Sequence, residues 1–309
     1  MSGYRTRCLY LILFCTCILI PIGLLKGWGF ETHKVINREA VKFLPGPLGN
    51  YFSQNVDYIS EHSIDPDLWK EKDPDEGYGH YMDCDLYGDY PFLDIPRSLD
   101  LLIESYGAGK VKKWGIAPWR IEEYYHRLIE QFKAGHWEEA NLTAAALAHY
   151  ISDIHMPLHV VANYDGQLTG NDGVHGQWET QMVDRYLLDN IQPKGILFTV
   201  IEPVEESFTV MKESYPYHFD ILRADSLARK NLSGEKRERL KDWRDPMADT
   251  NYHEILFRES GDIAKERIEM AVLRVASFWY TAWIKAGKPM PEETSVKTEL
   301  DEKGYMVSP

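Results

Sequence analysis

The stretch HYISDIHMPLH, residues 149–159, sets three histidines and an aspartate within eleven positions. On a helix, positions four apart share a face, so His149 and Asp153 point the same way. His175 and Glu179 repeat that spacing in HGQWE. Each pair offers an imidazole and a carboxylate one turn apart, the donors of a nitrogen–oxygen metal site. Pro157 stops the first helix, and His159 follows where it can turn toward a neighbouring ion. HSIDPDLWK adds Asp65, GHYMD adds His80, and WGFETH places His33 five residues after Trp28. One such pair is common by chance, but the joint occurrence points to metal and to more than one ion. His155 lies two residues from Asp153, on another face, and reads as a non-ligand. His62, His126, His136, His218 and His253 show no carboxylate at a telling spacing and read as surface or packing residues.

Composition narrows the chemistry. The 309 residues carry a formal charge of -14, so no overall basic field draws in nucleic acid or anionic lipid. A polyanionic substrate would need local positive charge, from a few Lys or Arg or from metal. Cys8, Cys15 and Cys17 fall in the N-terminal apolar run, leaving only Cys84 afterwards. That excludes a disulfide framework and a Cys-rich zinc site, so histidine and carboxylate must hold any ion.

Positioning these groups falls to helices. Residues 1–27, with Arg5 and Arg7 before a continuous apolar run at 8–25, read as a signal peptide, or as an anchor if uncleaved. Residues 28–287 form one mainly α domain, and 288–309 a loose polar tail. Periodicity predicts helices over 32–44 with Thr32 as N-cap, over 97–107, 117–134, 137–156 and about 175–190. It also predicts two helices within 205–243 and a long amphipathic one over 261–287. The Pro-Gly-Pro at 45–47 should end the first helix, and 51–95 should be mostly irregular. A Gly/Asn/Asp loop covers 161–176, and ILFTVIEPV, 196–204, is the best strand candidate.

These elements together resemble the zinc-dependent phospholipase C / S1-P1 nuclease superfamily. The resemblance rests on WGFETH at 28–33, Asp65 fifteen residues before HYMD, HYISDIHMPLH, and HGQWE after a Gly-Asn-Asp loop, in that order. It spans residues 28–179 and implies an all-α, multi-helical domain with a trinuclear zinc cleft. Carried over position by position, Asp65, His80, His149 and Asp153 would hold one zinc. Trp28, through its α-amino group and carbonyl, would hold a second with His33 and a bridging Asp153. His159, His175 and Glu179 would hold the third. Trp28 can serve in this way only if cleavage makes it the first residue.

The implied activity is phosphodiester hydrolysis, with Asp65 and Asp153 as the catalytic carboxylates: Asp153 bridges two ions, and Asp65 orients the attacking water. Tyr81 and Asp83 match positions that help hold a base in the nuclease branch, and single-stranded nucleic acid is slightly favoured as substrate. Phospholipid head groups are the alternative. Glu179, where the nucleases carry Asp, looks more like the phospholipase branch. Leu68 stands where the nucleases tend to carry Arg, with Lys70 and Lys72 nearby, and the family's disulfides are absent. A membrane-anchored zinc-binding protein without turnover is the competing reading from another class. The expected form is an exported monomer with no protein partner.

Overall fold

A computed structural model describes residues 28–245 and 250–291. The expectations for the 1–27 leader, and for all but the start of the 288–309 tail, lie outside these residues. Among the described residues every regular element is helical and there is no strand.

The centre is a helix, Trp137–Asp153, here α3, flanked by α1 (Phe30–Val41) and α2 (Ala117–Ala134). From Thr143 to Asp153 every residue of α3 is buried. A helix that is apolar around its whole circumference must be enclosed, and α1, α2 and a long helix, α6 (Thr250–Lys285), pack around it. The alanines at 144–146 and 148 leave room for large neighbours: Trp279 of α6 donates its Nε1 proton to the Ala144 carbonyl at 3.0 Å. α4 (Pro203–Ser214) and α5 (Tyr217–Arg229) complete the shell, split at Pro216. One apolar core runs through the molecule from Trp28 to Trp283.

Several expectations change here. α1 begins at Phe30, with the Gly29 carbonyl accepting from the Thr32 and His33 amides, so Thr32 is not its cap. The Pro-Gly-Pro run opens a new helix, Gly46–Gln54, with Pro45 as the extended residue before it and Pro47 in its first turn, where proline's fixed φ fits. Short helices then continue through Val56–Glu61 and Asp65–Trp69, where irregular chain was expected. The 205–243 region holds a third short helix, Gly234–Arg239, capped by Ser233, and α6 starts earlier than expected, at 250. Residues 196–202 take no regular structure and pair with no strand. Their amides are taken by α6 side chains, Phe198 by Ser277 and Val200 by Thr281.

Candidate metal centre

Three local arrangements converge at the C-terminal end of α3. First, the turn after Asp153 ends in Pro157–His159, and its carbonyls pair with the incoming 80–84 segment: Met82 donates to His159 and Cys84 to Val160. That pairing sets His80 beside His159. Second, the 161–173 loop closes on itself through Asn163, whose side chain bonds the Leu168 amide and the Thr169 hydroxyl. Asn171 ties it to Asp225 of α5 at 2.6 Å. Third, Glu179 lies in a π-helical segment, Gln177–Met182, a distortion frequent at functional sites. On the other side, Trp28 donates its indole proton to the Ser152 carbonyl at 2.8 Å, which fixes α1 against the end of α3.

The side chains meet as two compact groups. In the first, His80 Nδ1 lies 2.9 Å from Asp153 Oδ2 and 3.0 Å from His149 Nε2. His149 Nε2 is 3.3 Å from Asp153 Oδ2. Asp67 Oδ1 stands 3.9 Å from His80 Nδ1 and 3.8 Å from His149 Nε2. Four donors about 2.0–2.1 Å from a tetrahedral zinc would be separated by about 3.3–3.4 Å, so these edges outline such a site. In the second group, His175 Nε2 lies 3.1 Å from Glu179 Oε2 and 3.2 Å from His159 Nε2, with His159 to Glu179 at 3.8 Å. His33 lies on the first group's side, its Nε2 3.4 Å from Asp153 Oδ1 and its ring stacked on His149 at 3.9 Å. His33, Asp67 and His149 make a third donor set. Asp153 is thus common to the first group and to His33.

The donors fit a cation. His33 Nε2, Asp67 Oδ2, Asp153 Oδ1 and Glu179 Oε2 are buried and make no hydrogen bond, a costly state that a cation would relieve. The far nitrogen of most of the rings is pinned. His149 Nδ1 faces the Ser63 carbonyl, His159 Nδ1 the His80 carbonyl, His175 Nδ1 the Tyr164 carbonyl and His33 Nδ1 the Ser152 hydroxyl. Such outer contacts orient metal-binding imidazoles. Burial lowers the His33 pKa to about 4, with His149 adding to it, and burial takes His159 to about 3, so both rings are neutral near pH 7. Burial works to raise Asp153, but His149 and His159 outweigh it and hold the carboxyl well below its usual range. Burial also drives Glu179 up, and Glu179 in turn raises His175 against the effect of its own burial.

Asp65 does not join the cluster. Its carboxylate bonds His62 Nδ1 at 2.6 Å and is 22% exposed, whereas the Asp67 side chain is 1% exposed and faces the histidines. The short helix starting at Asp65 turns positions two apart to different faces, so only one of the pair can look inward. His62, read as lacking a carboxylate partner, has one in Asp65. Of the other histidines so read, His218 and His253 are buried and His126 and His136 exposed. His155 lies outside the donor groups, its Nδ1 on the Ile151 carbonyl.

A cavity of about 460 Å³ opens onto His80, His159 and His175. Tyr81, Asp83 and Tyr164 line it together with Lys70, Lys113, Leu86 and Leu168. The Tyr81 hydroxyl donates to the Lys113 carbonyl at 3.0 Å, which holds the ring as a wall. Gly115 makes this approach possible: at φ +86°, a Cβ there would stand 2.1 Å from the Tyr81 carbonyl oxygen. Burial, with a contribution from Asp85, raises Asp83 to about 7, and its side chain caps no helix. Sequence reasoning missed Asp67, Tyr164 and Lys113, and also Glu76, whose carboxylate is 3.3 Å from His80 Nε2. The Glu76-to-His80 spacing of four was the same signal that marked His149 with Asp153. No family model matches the chain, and no curated protein is significantly similar to it.

Proposed function

We propose that the chain is a zinc-dependent hydrolase of phosphodiesters, with a phospholipase C / S1-P1 nuclease-like fold. The observation that carries this reading is the shared Asp153, flanked by buried donor atoms without hydrogen bonds and opening onto a substrate-sized cavity. Asp67, His80, His149 and Asp153 would hold one ion, and His159, His175 and Glu179 another. His33 and Asp153 would hold the remaining one, with the Trp28 backbone completing it where Trp28 is the first residue. Bound zinc supplies Lewis acidity, bringing the pKa of water to about 7 and polarising a phosphoryl oxygen.

The chain's own residues supply the rest. Asp153 lies between the ligand groups and keeps their spacing. Lys70, 2.7 Å from Asp67, and Lys113 bring positive charge to the cavity wall, where a phosphate would enter. Counted from Asp67, the third following position is Lys70, a cation where the nucleases tend to carry Arg, so the departure noted from Asp65 narrows from Leu for Arg to Lys for Arg. The fifteen-residue interval to His80 disappears, because Asp67 is thirteen residues away. With Asp65 directed at His62, orientation of the attacking water falls to Asp67 or Asp153.

Single-stranded nucleic acid remains the favoured substrate, supported by Tyr81 and Tyr164 as stacking faces beside Asp83. Phospholipid is the second reading, favoured by Leu86 and Leu168 on the cavity lining, 40% and 72% exposed. The deciding experiment measures zinc per chain on exported protein and offers single-stranded DNA, RNA and phosphatidylcholine, with and without chelator. Chelator-sensitive nucleotide release supports the first reading, and phosphocholine release the second. A chain with no zinc and no turnover refutes both. Sequencing the exported N-terminus tests the Trp28 ligand: an intact Met1 would favour an anchored protein.

A further inference from the structure

One buried carboxylate beside the cluster has no part in holding the ions. Glu76 is 5% exposed and does not belong to any donor group. Burying a carboxylate costs stability unless its oxygens are satisfied. Here the Tyr150 hydroxyl donates to Oε1, and Arg120 lies 3.8 Å from Oε2. Oε1 also stands 3.3 Å from His80 Nε2, a buried atom that makes no hydrogen bond, so Oε1 is the acceptor placed nearest to it. The His80 ring meets Tyr150 edge-on, with centroids 5.2 Å apart, so the histidine is held on two sides by one network.

His80 differs from its neighbours in orientation. It turns Nδ1 toward Asp153 and His149, whereas His33, His149, His159 and His175 turn Nε2 toward the donor groups and rest Nδ1 on a carbonyl or hydroxyl. To present the Nδ1 lone pair, a neutral imidazole must carry its proton on Nε2. Before a metal binds, Asp153 Oδ2 facing Nδ1 favours the other tautomer, so an acceptor at Nε2 is needed to bias the ring, and Glu76 is the acceptor in reach.

We propose that Glu76, braced by Tyr150 and Arg120, is a positioning residue that holds His80 in the Nε2-protonated form with Nδ1 aimed at the metal. This rests on the reading of His80 as a zinc ligand. A carboxylate acceptor also makes the imidazole a stronger donor than a carbonyl does, which sets the His80 group apart from the others in affinity. Glu76 touches neither ion nor substrate.

The test uses the full exported chain. Zinc affinities are measured by chelator competition for the wild type, Glu76→Ala, Glu76→Gln and Tyr150→Phe, with thermal melts of each zinc-free protein beside them. The His80 tautomer is read by nitrogen NMR. Glu76→Ala should weaken one zinc about 10–100-fold and leave the rest unchanged. Glu76→Gln, whose amide oxygen still accepts, should recover part of the loss, and Tyr150→Phe should show a smaller loss of the same zinc. In the zinc-free proteins the His80 proton should favour Nε2 in the wild type and shift toward Nδ1, which faces Asp153 Oδ2 at 2.9 Å, in Glu76→Ala. A folded Glu76→Ala with unchanged zinc affinities and an unchanged tautomer overturns the proposal. If that variant does not fold, unchanged affinities in Glu76→Gln and Tyr150→Phe overturn it instead. A wild type that binds no zinc removes the metal reading and this proposal together, and is distinguishable because the variants are then not needed.

Discussion

Asp67→Asn and Asp65→Asn form a matched pair that separates a metal ligand from a surface partner. Asp67 Oδ1 sits 2.7 Å from Lys70 Nζ and within 3.9 Å of two histidine nitrogens, and its side chain is almost fully buried. Burial pushes its pKa up, but Lys70, then His149 and His80, outweigh burial and bring it below the usual range. Breaking a buried ion pair costs about 3–5 kcal/mol. Lys70 reaches the cavity, so about 2 kcal/mol is expected for Asp67→Asn in chelator. With zinc at about 1,000 times its Kd, a bound ion adds about 4 kcal/mol of stability, and losing that site removes it. The Asp65 bond to His62 is worth about 1 kcal/mol and should cost the same with or without zinc. The assay is denaturant unfolding of both variants and wild type, each in zinc and in chelator, with zinc counted per chain. Asp67→Asn should lose one zinc and the roughly 4 kcal/mol that this ion adds, while Asp65→Asn keeps both. A zinc-dependent increment equal to wild type in Asp67→Asn, or its loss in Asp65→Asn, would refute the reasoning.

Other outcomes follow from the same geometry. Chelator should lower the melting temperature of the wild type, because buried carboxylates and imidazoles without hydrogen bonds lose their counter-ion; an unchanged melt would speak against any bound metal. Asp83 has its pKa raised to about 7, first by burial and then by Asp85. The folded chain therefore holds a proton that the unfolded chain has released between about pH 4 and pH 7, and this group's contribution to stability falls as pH rises through that window. Asp83→Asn should be close to neutral near pH 4 and stabilising at pH 8 by about 2 kcal/mol, half the full shift because the cavity is open to solvent. An equal effect at both pH values would contradict the assignment. Trp279 is fully buried against Phe52 and bonded to Ala144, so Trp279→Ala should cost about 3–5 kcal/mol in denaturant unfolding. A loss under 1 kcal/mol would mean that α6 does not brace α3 as described.

Much of the site is legible in the sequence because helical spacing is a local property. His149 with Asp153, and His175 with Glu179, meet because four residues make about one turn, whatever surrounds them. The all-apolar stretch around 144–148 likewise announces a buried central helix. The strand expected at 196–204 fails because strand character needs a partner, and hydrophobicity alone does not supply one. That segment is laid along α6, where hydroxyls replace a neighbouring strand.

Local chemistry alone determined the donor types, nitrogen and oxygen without sulfur, and the helices that carry them. The choice of Asp67 over Asp65 was left to the tertiary structure. Both carboxylates stand in one five-residue helix, and which of them faces inward depends on how that helix docks against α3. The same holds for Glu76 and Lys113. What they do is defined by His80 and by the cavity, and those are brought near by chain pairings that no spacing rule encodes, such as that between residues 82–84 and 159–160. Spacing reports which side chains share a face; only packing decides what that face looks at.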